Sequence, residues 1–398
     1  PPPPQAGVTW WNDRVFYEVF VRSFQDSDGD GMGDLAGLTE RLDYLNDGDP
    51  KTGQDLGITG LWLMPITESP SYHGYDVADY TSIEQDYGDA AAFKTLVDEA
   101  HQRGMVVLID LVINHTSTEH PWFQDAATDP QSPRRPWYIW SQNNPGYRGP
   151  WGQPVWHKRG DEHYYGIFWS GMPDLNYRSP EVTDEIYEIT RFWLQEVGVD
   201  GFRMDAIRHL VEDGSVQENT PETHQWLRDY HTYYKSLKPE ALAVGEVWTR
   251  TEEVVPYVGD ELDICFEFDL ASAILSSAKG GYASRIAGTM EKVDKLYPPQ
   301  QYATFLTNHD HERTMTQLGE DEAQAKVAAA IYLTLPGVPF IYYGEEIGMT
   351  GAKPDERLRT PMQWTGESGA GFTDGMPWYV INGDYQERNI AAQSEDET

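Results

Sequence analysis

The chain has 398 residues, of which 39% are hydrophobic and 13% aromatic, and it contains one cysteine. Its 65 acidic and 29 basic residues give a formal net charge of −36, which argues against nucleic acid or an anionic membrane as a partner. One cysteine excludes an internal disulfide, no stretch is apolar enough to span a membrane, and the length allows one large barrel or two to three smaller domains.

The chain opens with Pro1 to Pro4, a stiff extended leader. Such a start often follows a removed export or lipoprotein signal, so we expect a secreted or cell-surface protein. The acidic balance also suits a salt-exposed environment.

Short β-rich runs alternate with amphipathic helices along the rest of the chain. We predict strands within the ranges 15–24, 58–65, 105–112, 199–206, 241–248, 263–270, 302–310 and 339–349. Helical patterns lie between them, such as 91–104, where Phe93, Leu96, Val97 and Ala100 share one face. Eight β–α units in this length predict a (β/α)8 TIM barrel.

The interval between the third and fourth strands is too long for a simple connection. Residues 114–176 are rich in Trp, Tyr, Pro and Gly, and we predict an irregular subdomain that leans over one mouth of the barrel. The chain then divides into a first part of the barrel at 1–113, the inserted subdomain at 114–176 and a second part of the barrel at 177–398. We expect the eighth helix to begin near Glu387 and to be incomplete.

In barrels of this kind, catalytic groups lie at the carboxyl ends of the strands. Those ends carry Asp110, Asn114, His115, Arg203, Asp205, Glu246, His309 and Asp310. Arg203 and Asp205 are two residues apart and therefore share one face of a strand, as a structural ion pair or as a catalytic carboxylate held by an arginine. No His and carboxylate cluster has transition-metal spacing, so we expect acid–base and nucleophilic chemistry.

Four segments, DLVINHTS, GFRMDAIRH, GEVW and FLTNHD, resemble the signature segments of the α-amylase family, glycoside hydrolase family 13, in order and spacing. The resemblance implies a retaining glycosidase that forms a covalent glycosyl-enzyme intermediate. It implies that Asp205 is the nucleophile, Glu246 the general acid/base and Asp310 the third carboxylate. We expect Arg203 to lower the pKa of Asp205 and a dry pocket to raise that of Glu246.

The same resemblance implies a set of substrate-binding residues: Tyr75, His73, His115, Arg203, Arg208, His209 and His309. Tyr75, in YHGYD (72–76), matches the aromatic platform under the sugar that is cleaved. His115 and His309 match imidazoles that bind the hydroxyls of that sugar.

The acidic segment DSDGDGMGD (26–34) predicts a calcium site. Its spacing is that of an EF-hand-like loop up to the ninth position, but the twelfth position is Gly37 rather than a glutamate. The segment resembles the calcium or magnesium loop of the oligo-1,6-glucosidase branch, and a solvated acidic turn is the alternative. The candidate ligands are Asp26, Asp28, Asp30, the carbonyl of Met32, and Asp34.

A second calcium site is a weaker prediction. Many α-amylases hold calcium between the inserted subdomain and the barrel, through residues that match Asn114 and the carbonyl of His209. The acidic ligand from the insertion stays open between Asp161 and Asp174.

Three features favour internal cleavage of α-1,4-glucosidic bonds. MPDLN (172–176) blends the QPDLN of oligo-1,6-glucosidases with the MPKLN of neopullulanases, as in the intermediate group of the family. Tyr72-His73 replaces the Asp-Asn of exo-acting α-glucosidases, and Arg208-His209 resembles the Lys-His pair of α-amylases. We therefore expect an α-amylase (EC 3.2.1.1) acting on starch-like glucans and maltooligosaccharides, with or without transglycosylation.

Other readings remain open at this point. RTPMQW (359–364) and the acidic loop look like the α-glucosidase and trehalose synthase branches, so the alternative is an exo-acting α-glucosidase, an oligo-1,6-glucosidase or a trehalose-synthase-like transglycosylase. Non-catalytic binding homologues form another class, but they have lost the catalytic residues that are present here. Family members typically continue into a C-terminal β-sandwich, which we expect to be absent from this chain, and the oligomeric state is not predicted.

Overall fold

The computed structural model describes residues 9–394; Pro1 to Pro4 and the end of the predicted second barrel part lie outside this range. Its strands are β1 (Phe16–Val19), β2 (Gly60–Leu63), β3 (Thr67–Glu68), β4 (Asp79–Ile83), β5 (Val106–Leu111), β6 (Trp140–Ser141), β7 (Trp156–Arg159), β8 (Glu162–Tyr165), β9 (Gly201–Met204), β10 (Leu242–Gly245), β11 (Ile264–Cys265), β12 (Ala303–Thr304) and β13 (Val338–Tyr342).

The α-helices of the described residues are α1 (Leu35–Glu40), α2 (Leu42–Leu45), α3 (Ala90–Gln102), α4 (Pro121–Thr128), α5 (Pro180–Arg191), α6 (Pro221–Leu237), α7 (Thr251–Val254), α8 (Phe268–Gly280), α9 (Ser284–Leu296), α10 (Thr314–Gln317), α11 (Glu322–Thr334) and α12 (Ile390–Ser394). A π-helical turn, Phe192–Val197, extends α5 and ends at Gly198, whose φ of 94° forms the left-handed cap. None of the helices between residues 9 and 394 is both long and apolar enough to cross a bilayer.

Eight of these strands form one parallel sheet in the order β11, β10, β9, β5, β2, β1, β13, β12. A parallel bridge between Phe266 and Ala303 joins its two ends, so the sheet is nearly closed. The predicted (β/α)8 barrel is therefore confirmed. Every barrel strand lies within its predicted range, except that β13 begins one residue earlier, at Val338.

The insertion follows the third barrel strand, as the sequence predicts. After β5 come α4 and a three-stranded antiparallel sheet in the order β6, β8, β7. A bridge from His115 to Asp174 connects the two ends of this segment, and a bridge from Tyr138 to Leu175 connects its middle to its end. The insertion is thus held against the carboxyl end of β5, where the predicted site lies.

Side chains from the strands fill the interior of the barrel. Phe16 stacks on Phe340 with ring centroids 4.6 Å apart, and Trp62 packs beside them. A Cβ at Gly60 would lie 2.4 Å from the ring of Phe16, which explains the glycine at the start of β2. Strands that are buried on both faces are typical of parallel barrels, and the charged residues collect at one mouth.

Candidate active site

Arg203, on β9, is the centre of the charged cluster at the mouth of the barrel. Its Nη1 lies 2.7 Å from Asp205 and 2.8 Å from Asp110, and its Nη2 lies 3.0 Å from Glu246. The arginine side chain is fully buried, whereas Asp205 and Glu246 keep small exposed fractions of 10% and 12%. The pair seen in the sequence is thus both an ion pair inside the fold and part of an open site.

A cavity of about 680 Å³ lies over this cluster. Predicted site residues that line it are His73, Tyr75, His115, Asp205, Arg208, His209, Glu246 and Asp310. Arg203 and His309 lie behind this layer and contact it. The structure therefore brings every predicted catalytic and substrate-binding residue to one cavity, although it does not by itself assign their roles.

The backbone after Asp205 helps to join two of the carboxylates. Ala206 has a φ of 50°, in the left-handed region that non-glycine residues seldom adopt. This turn directs the N–H of Ala206 toward Glu246, to which it donates at 3.1 Å. A strained residue beside the charged cluster is a common feature of functional sites.

The pKa values of Asp205 and Glu246 are both raised, chiefly by burial. The pKa of Asp205 rises to about 6, because burial and the charge of Asp110 outweigh Arg203, which acts in the opposite direction. Arg203 thus acts to lower the pKa of Asp205, as expected, but the net shift is upward, so the pKa of Asp205 is not lowered in this cleft. The raised pKa of Glu246 agrees with the expectation of a dry pocket.

Asp310 has a different electrostatic environment. Burial acts to raise its pKa, but His309 and Arg359 outweigh burial and hold the pKa well below its usual range. Nη2 of Arg359 donates to Asp310 at 2.9 Å, and Nε2 of His309 lies 3.2 Å from the other carboxylate oxygen. Asp310 is therefore held as a carboxylate.

Tyr75 connects the carboxylates to the histidines. Its hydroxyl donates to Asp110 at 2.9 Å and lies 2.7 Å from Nε2 of His309, and its ring stacks on His309 at 5.3 Å. His115 donates from Nε2 to the backbone carbonyl of Tyr75 at 3.0 Å, and burial lowers the pKa of His115 to about 4. His73 accepts the N–H of Tyr75 at 3.1 Å, so this side of the cleft is tightly ordered.

Arg208 and His209 form the opposite side of the cleft. Nη2 of Arg208 pairs with Glu218 at 3.0 Å, and Nδ1 of His209 donates to the carbonyl of Gln217 at 2.8 Å. Burial lowers the pKa of His209 to about 3. Three well-exposed tryptophans, Trp151, Trp169 and Trp248, line the same cavity.

Sequence reasoning missed two contacts. Arg359 holds Asp310 and also donates to the carbonyl of His309 at 3.1 Å; RTPMQW marks this residue in the sequence but not its partner. Glu18, which pairs with Nδ1 of His309 at 2.5 Å, is signalled only by a charge in the apolar strand FYEV.

The acidic loop brings three of its four predicted aspartates together. Carboxylate oxygens of Asp26, Asp28 and Asp34 lie within 4.8 Å of one another, whereas Asp30 lies outside this cluster and accepts the N–H of Met32. Three of the predicted carboxylates are thus placed together, and the contributions of Asp30 and of the carbonyl of Met32 stay predictions.

The region of the second predicted metal site contains unpaired polar atoms. Oδ1 of Asn114 and Oδ2 of Asp174 are buried without a hydrogen-bond partner among residues 9–394. Burial raises the pKa of Asp174, and a contact from Asn114 acts in the opposite direction. Asp161 instead lies exposed in the turn between β7 and β8, so only Asp174 is placed beside Asn114.

Glycoside hydrolases use paired carboxyl groups, and barrel enzymes place such groups at the carboxyl ends of their parallel strands. The barrel and the carboxyl groups of this chain have that arrangement. Comparison with known proteins agrees: the family model described as "Alpha amylase, catalytic domain" matches residues 18–398. The chain belongs to this family, glycoside hydrolase family 13, and is a glycoside hydrolase.

Individual relatives span more than one activity. Alpha-amylase 3 of Dictyoglomus thermophilum is 44% identical over 89% of this chain and 68% of its own length. Oligo-1,6-glucosidase of Parageobacillus thermoglucosidasius is 33% identical over 97% of this chain and 81% of its own. The solved structure of an α-amylase from H. orenii is 45% identical with a TM-score of 0.89, and the match covers 96% of this chain and 78% of that one.

Proposed function

We propose that the protein is an α-amylase (EC 3.2.1.1) that cleaves internal α-1,4 bonds of starch-like glucans and maltooligosaccharides with retention of configuration. The observation that carries this proposal is the shared arginine. Arg203 binds Asp205 and Glu246 through its two terminal nitrogens, at 2.7 and 3.0 Å. Binding to one guanidinium keeps the two carboxyl groups near each other, as retaining enzymes require, whose two carboxyl groups lie about 5–5.5 Å apart.

The chemistry follows from the environment of each carboxyl group. Above about pH 6 Asp205 is a carboxylate and attacks the anomeric carbon, forming the glycosyl-enzyme bond as the C–O bond to the leaving sugar breaks. Glu246, with its raised pKa, gives its proton to the leaving oxygen. Glu246 then accepts a proton from a water molecule as the oxygen of that water bonds to the anomeric carbon. The bond between the sugar and Asp205 breaks in this step, and the sugar is released. When a sugar hydroxyl takes the place of water, the same step gives transglycosylation.

The other charged groups have supporting roles in this reaction. Asp310, held as a carboxylate by Arg359, accepts hydrogen bonds from hydroxyl groups of the sugar that is cleaved. These hydrogen bonds accelerate the reaction because they strengthen in the distorted transition state. Tyr75 supplies the flat face beneath that sugar. His73, His115 and His309 supply imidazole nitrogens beside it.

Internal cleavage is favoured by the residues at the edge of the cleft. His73 lines the cavity, and Arg359 donates to the hydroxyl of Tyr72 at 3.3 Å, where exo-acting relatives carry an acidic residue. Products from maltoheptaose test the proposal. Maltose and maltotriose as the first products support internal cleavage, whereas glucose released alone in the first minutes contradicts it; Asp205→Asn is the inactive control.

The second candidate is an exo-acting α-glucosidase, an oligo-1,6-glucosidase or a trehalose-synthase-like transglycosylase. Arg359, in the RTPMQW segment shared with those branches, reaches directly into the cleft and binds Asp310. Release of glucose from isomaltose, or formation of trehalose from maltose, at rates comparable to maltoheptaose cleavage would favour this candidate.

We also propose that the protein binds calcium in the loop formed by residues 26–34. Asp26, Asp28 and Asp34 present three carboxylates within reach of one ion, and calcium prefers six to eight oxygen ligands. The bound ion would neutralise these charges and stiffen the loop.

A second calcium between the barrel and the insertion would use Asn114, Asp174 and the carbonyl of His209. The two buried oxygens without partners among the described residues fit a cation that accepts oxygen ligands. When bound, this ion would supply positive charge that links the insertion to the barrel.

A further inference from the structure

Glu18 is a buried carboxylate below the mouth of the barrel. It lies on β1, beside Trp62 of β2 and Tyr342 of β13 in the strand register. Its side chain is 2% exposed, and it shares the face of β1 that carries Phe16 into the barrel interior. A charge at such a depth is costly unless it is paired.

The partner of Glu18 is the imidazole of His309, whose side chain is 1% exposed. Nδ1 of His309 lies 2.5 Å from Oε1 of Glu18. The other ring nitrogen, Nε2, lies 3.2 Å from Asp310 and 2.7 Å from the Tyr75 hydroxyl. The ring is fixed between Tyr75, which stacks on it, and the edge contact of Trp62 at 5.8 Å.

Hydrogen-bond chemistry limits what this imidazole can be. A carboxylate only accepts hydrogen bonds, so Nδ1 must carry the proton toward Glu18. A neutral imidazole has one N–H, and Nε2 would then present a lone pair to the carboxylate of Asp310. Because the Tyr75 hydroxyl gives its proton to Asp110, Nε2 must donate to the Tyr75 oxygen 2.7 Å away, and it can do so only when the ring is a cation.

We propose that Glu18 is a positioning residue of the active site, which keeps both nitrogens of His309 protonated so that Nε2 presents an N–H rather than a lone pair to the Tyr75 hydroxyl, with the positive charge of the ring beside Asp310 and in contact with the bound sugar. Glu18 acts through His309 and does not touch the substrate itself. The contact with the sugar rests on the proposed function, whereas the charge state of His309 in the free protein does not.

The charges around His309 support this assignment. The titratable and charged groups that face it from the surrounding elements are Glu18, Tyr75, Asp110, Asp310, His311 and Arg359. Burial acts to lower the pKa of His309, but Asp310 and Glu18 outweigh burial and raise it to about 9. His311 adds no charge near neutral pH, because burial lowers its pKa to about 4.

Glu18→Gln provides the direct test, since the amide oxygen still accepts from Nδ1 while the negative charge is removed. The measurement is the NMR titration of histidine side chains in free protein, with the His309 signal identified by its loss in His309→Gln. We expect His309 of the wild-type protein to stay protonated beyond about pH 8 and to titrate about 1.5–2 pH units lower in Glu18→Gln. A neutral His309 in the wild-type protein near pH 7 overturns the proposal without any variant of Glu18.

Kinetics on maltoheptaose add a readout that a merely structural role would not move. In Glu18→Gln we expect kcat/KM within about threefold of wild type near pH 5.5 and at least about tenfold lower near pH 8. Glu345→Gln, at a partly buried glutamate outside the cleft, is the matched control and should leave this pH profile unchanged. An equal loss at both pH values contradicts the proposal. If maltoheptaose is not a substrate, the proposed function fails, but the NMR titration still decides the role of Glu18.

Discussion

Two groups of acidic residues in this protein bring negative charges close together and are stabilised in different ways. At the mouth of the barrel, the buried Asp205 and the partly buried Glu246 and Asp310 surround fixed cations, chiefly Arg203 and Arg359. In the loop formed by residues 26–34, the aspartates form no salt bridge with any residue in the range 9–394, and backbone N–H groups bind them instead. Buried carboxylates need a fixed counter-charge, whereas a partly exposed cluster can rely on water or an added ion.

The largest effect is expected from removing the two reactive carboxyl groups. Asp205→Asn should lower kcat by roughly 10⁴-fold or more on every substrate, because no other group forms the glycosyl-enzyme bond. Glu246→Gln should cost roughly 10²–10⁴-fold on maltoheptaose but far less on α-glucosyl fluoride, whose leaving group needs no proton. Steady-state rates on both substrates measure this difference.

Asp263→Asn, a buried aspartate that pairs with Lys235 outside the cleft, is the control for loss of a buried acid. Near-wild-type rates for Asp205→Asn would overturn its assignment as nucleophile. Equal losses for Glu246→Gln on the two substrates would contradict its role as the proton donor.

A middle-sized effect is expected at the acidic loop. Calcium at about 100 times its Kd should stabilise the wild-type protein by about 2.7 kcal/mol, seen as a higher Tm than in chelator. Asp28→Asn should remove most of this increase, because Asp28 belongs to the carboxylate cluster. The matched control is Asp30→Asn, which lies outside the cluster and should keep most of it.

An unchanged Tm of the wild-type protein in the presence of calcium would contradict the proposed calcium site. An equal loss in the Asp28 and Asp30 variants would instead restore the wider ligand set that the sequence predicts.

The smallest effect concerns a partly buried glutamate with no fixed cation. Glu345 forms no salt bridge among the described residues and accepts hydrogen bonds from Thr314 and Tyr332, and burial raises its pKa to about 7. The folded protein therefore binds this proton more tightly than the unfolded chain does. The stabilisation is fully present below the unfolded pKa and is lost as pH rises through about 7.

The free energy of unfolding of Glu345→Gln, relative to that of wild type, should therefore rise by on the order of 1 kcal/mol as the pH is raised from about 5 to about 8.5. Urea unfolding at the two pH values measures the difference. If Glu345→Gln is instead destabilised equally at both pH values, Glu345 is stabilised as a carboxylate without a fixed cation, unlike the carboxylates at the mouth of the barrel.

Much of the fold and of the candidate site could be predicted from the sequence. The eight strands are visible because apolar β-rich runs alternate regularly with amphipathic helices. The placement of Asp205, Glu246 and Asp310 after the fourth, fifth and seventh barrel strands follows once the barrel is recognised. The pairing of Arg203 with Asp205 could be expected from their two-residue spacing at the end of β9. Local pattern carries this information, so the sequence alone was sufficient for it.

Only the tertiary structure decided the remaining features. Glu18 and His309 are 291 residues apart, and Arg359 and Asp310 come from different loops, so no local pattern shows that they touch. The pKa of Asp205 depends on how far burial outweighs Arg203, which is a balance of distances and desolvation. Asp30 lies outside the carboxylate cluster because the backbone of its loop, rather than the spacing of the aspartates, determines where each side chain points.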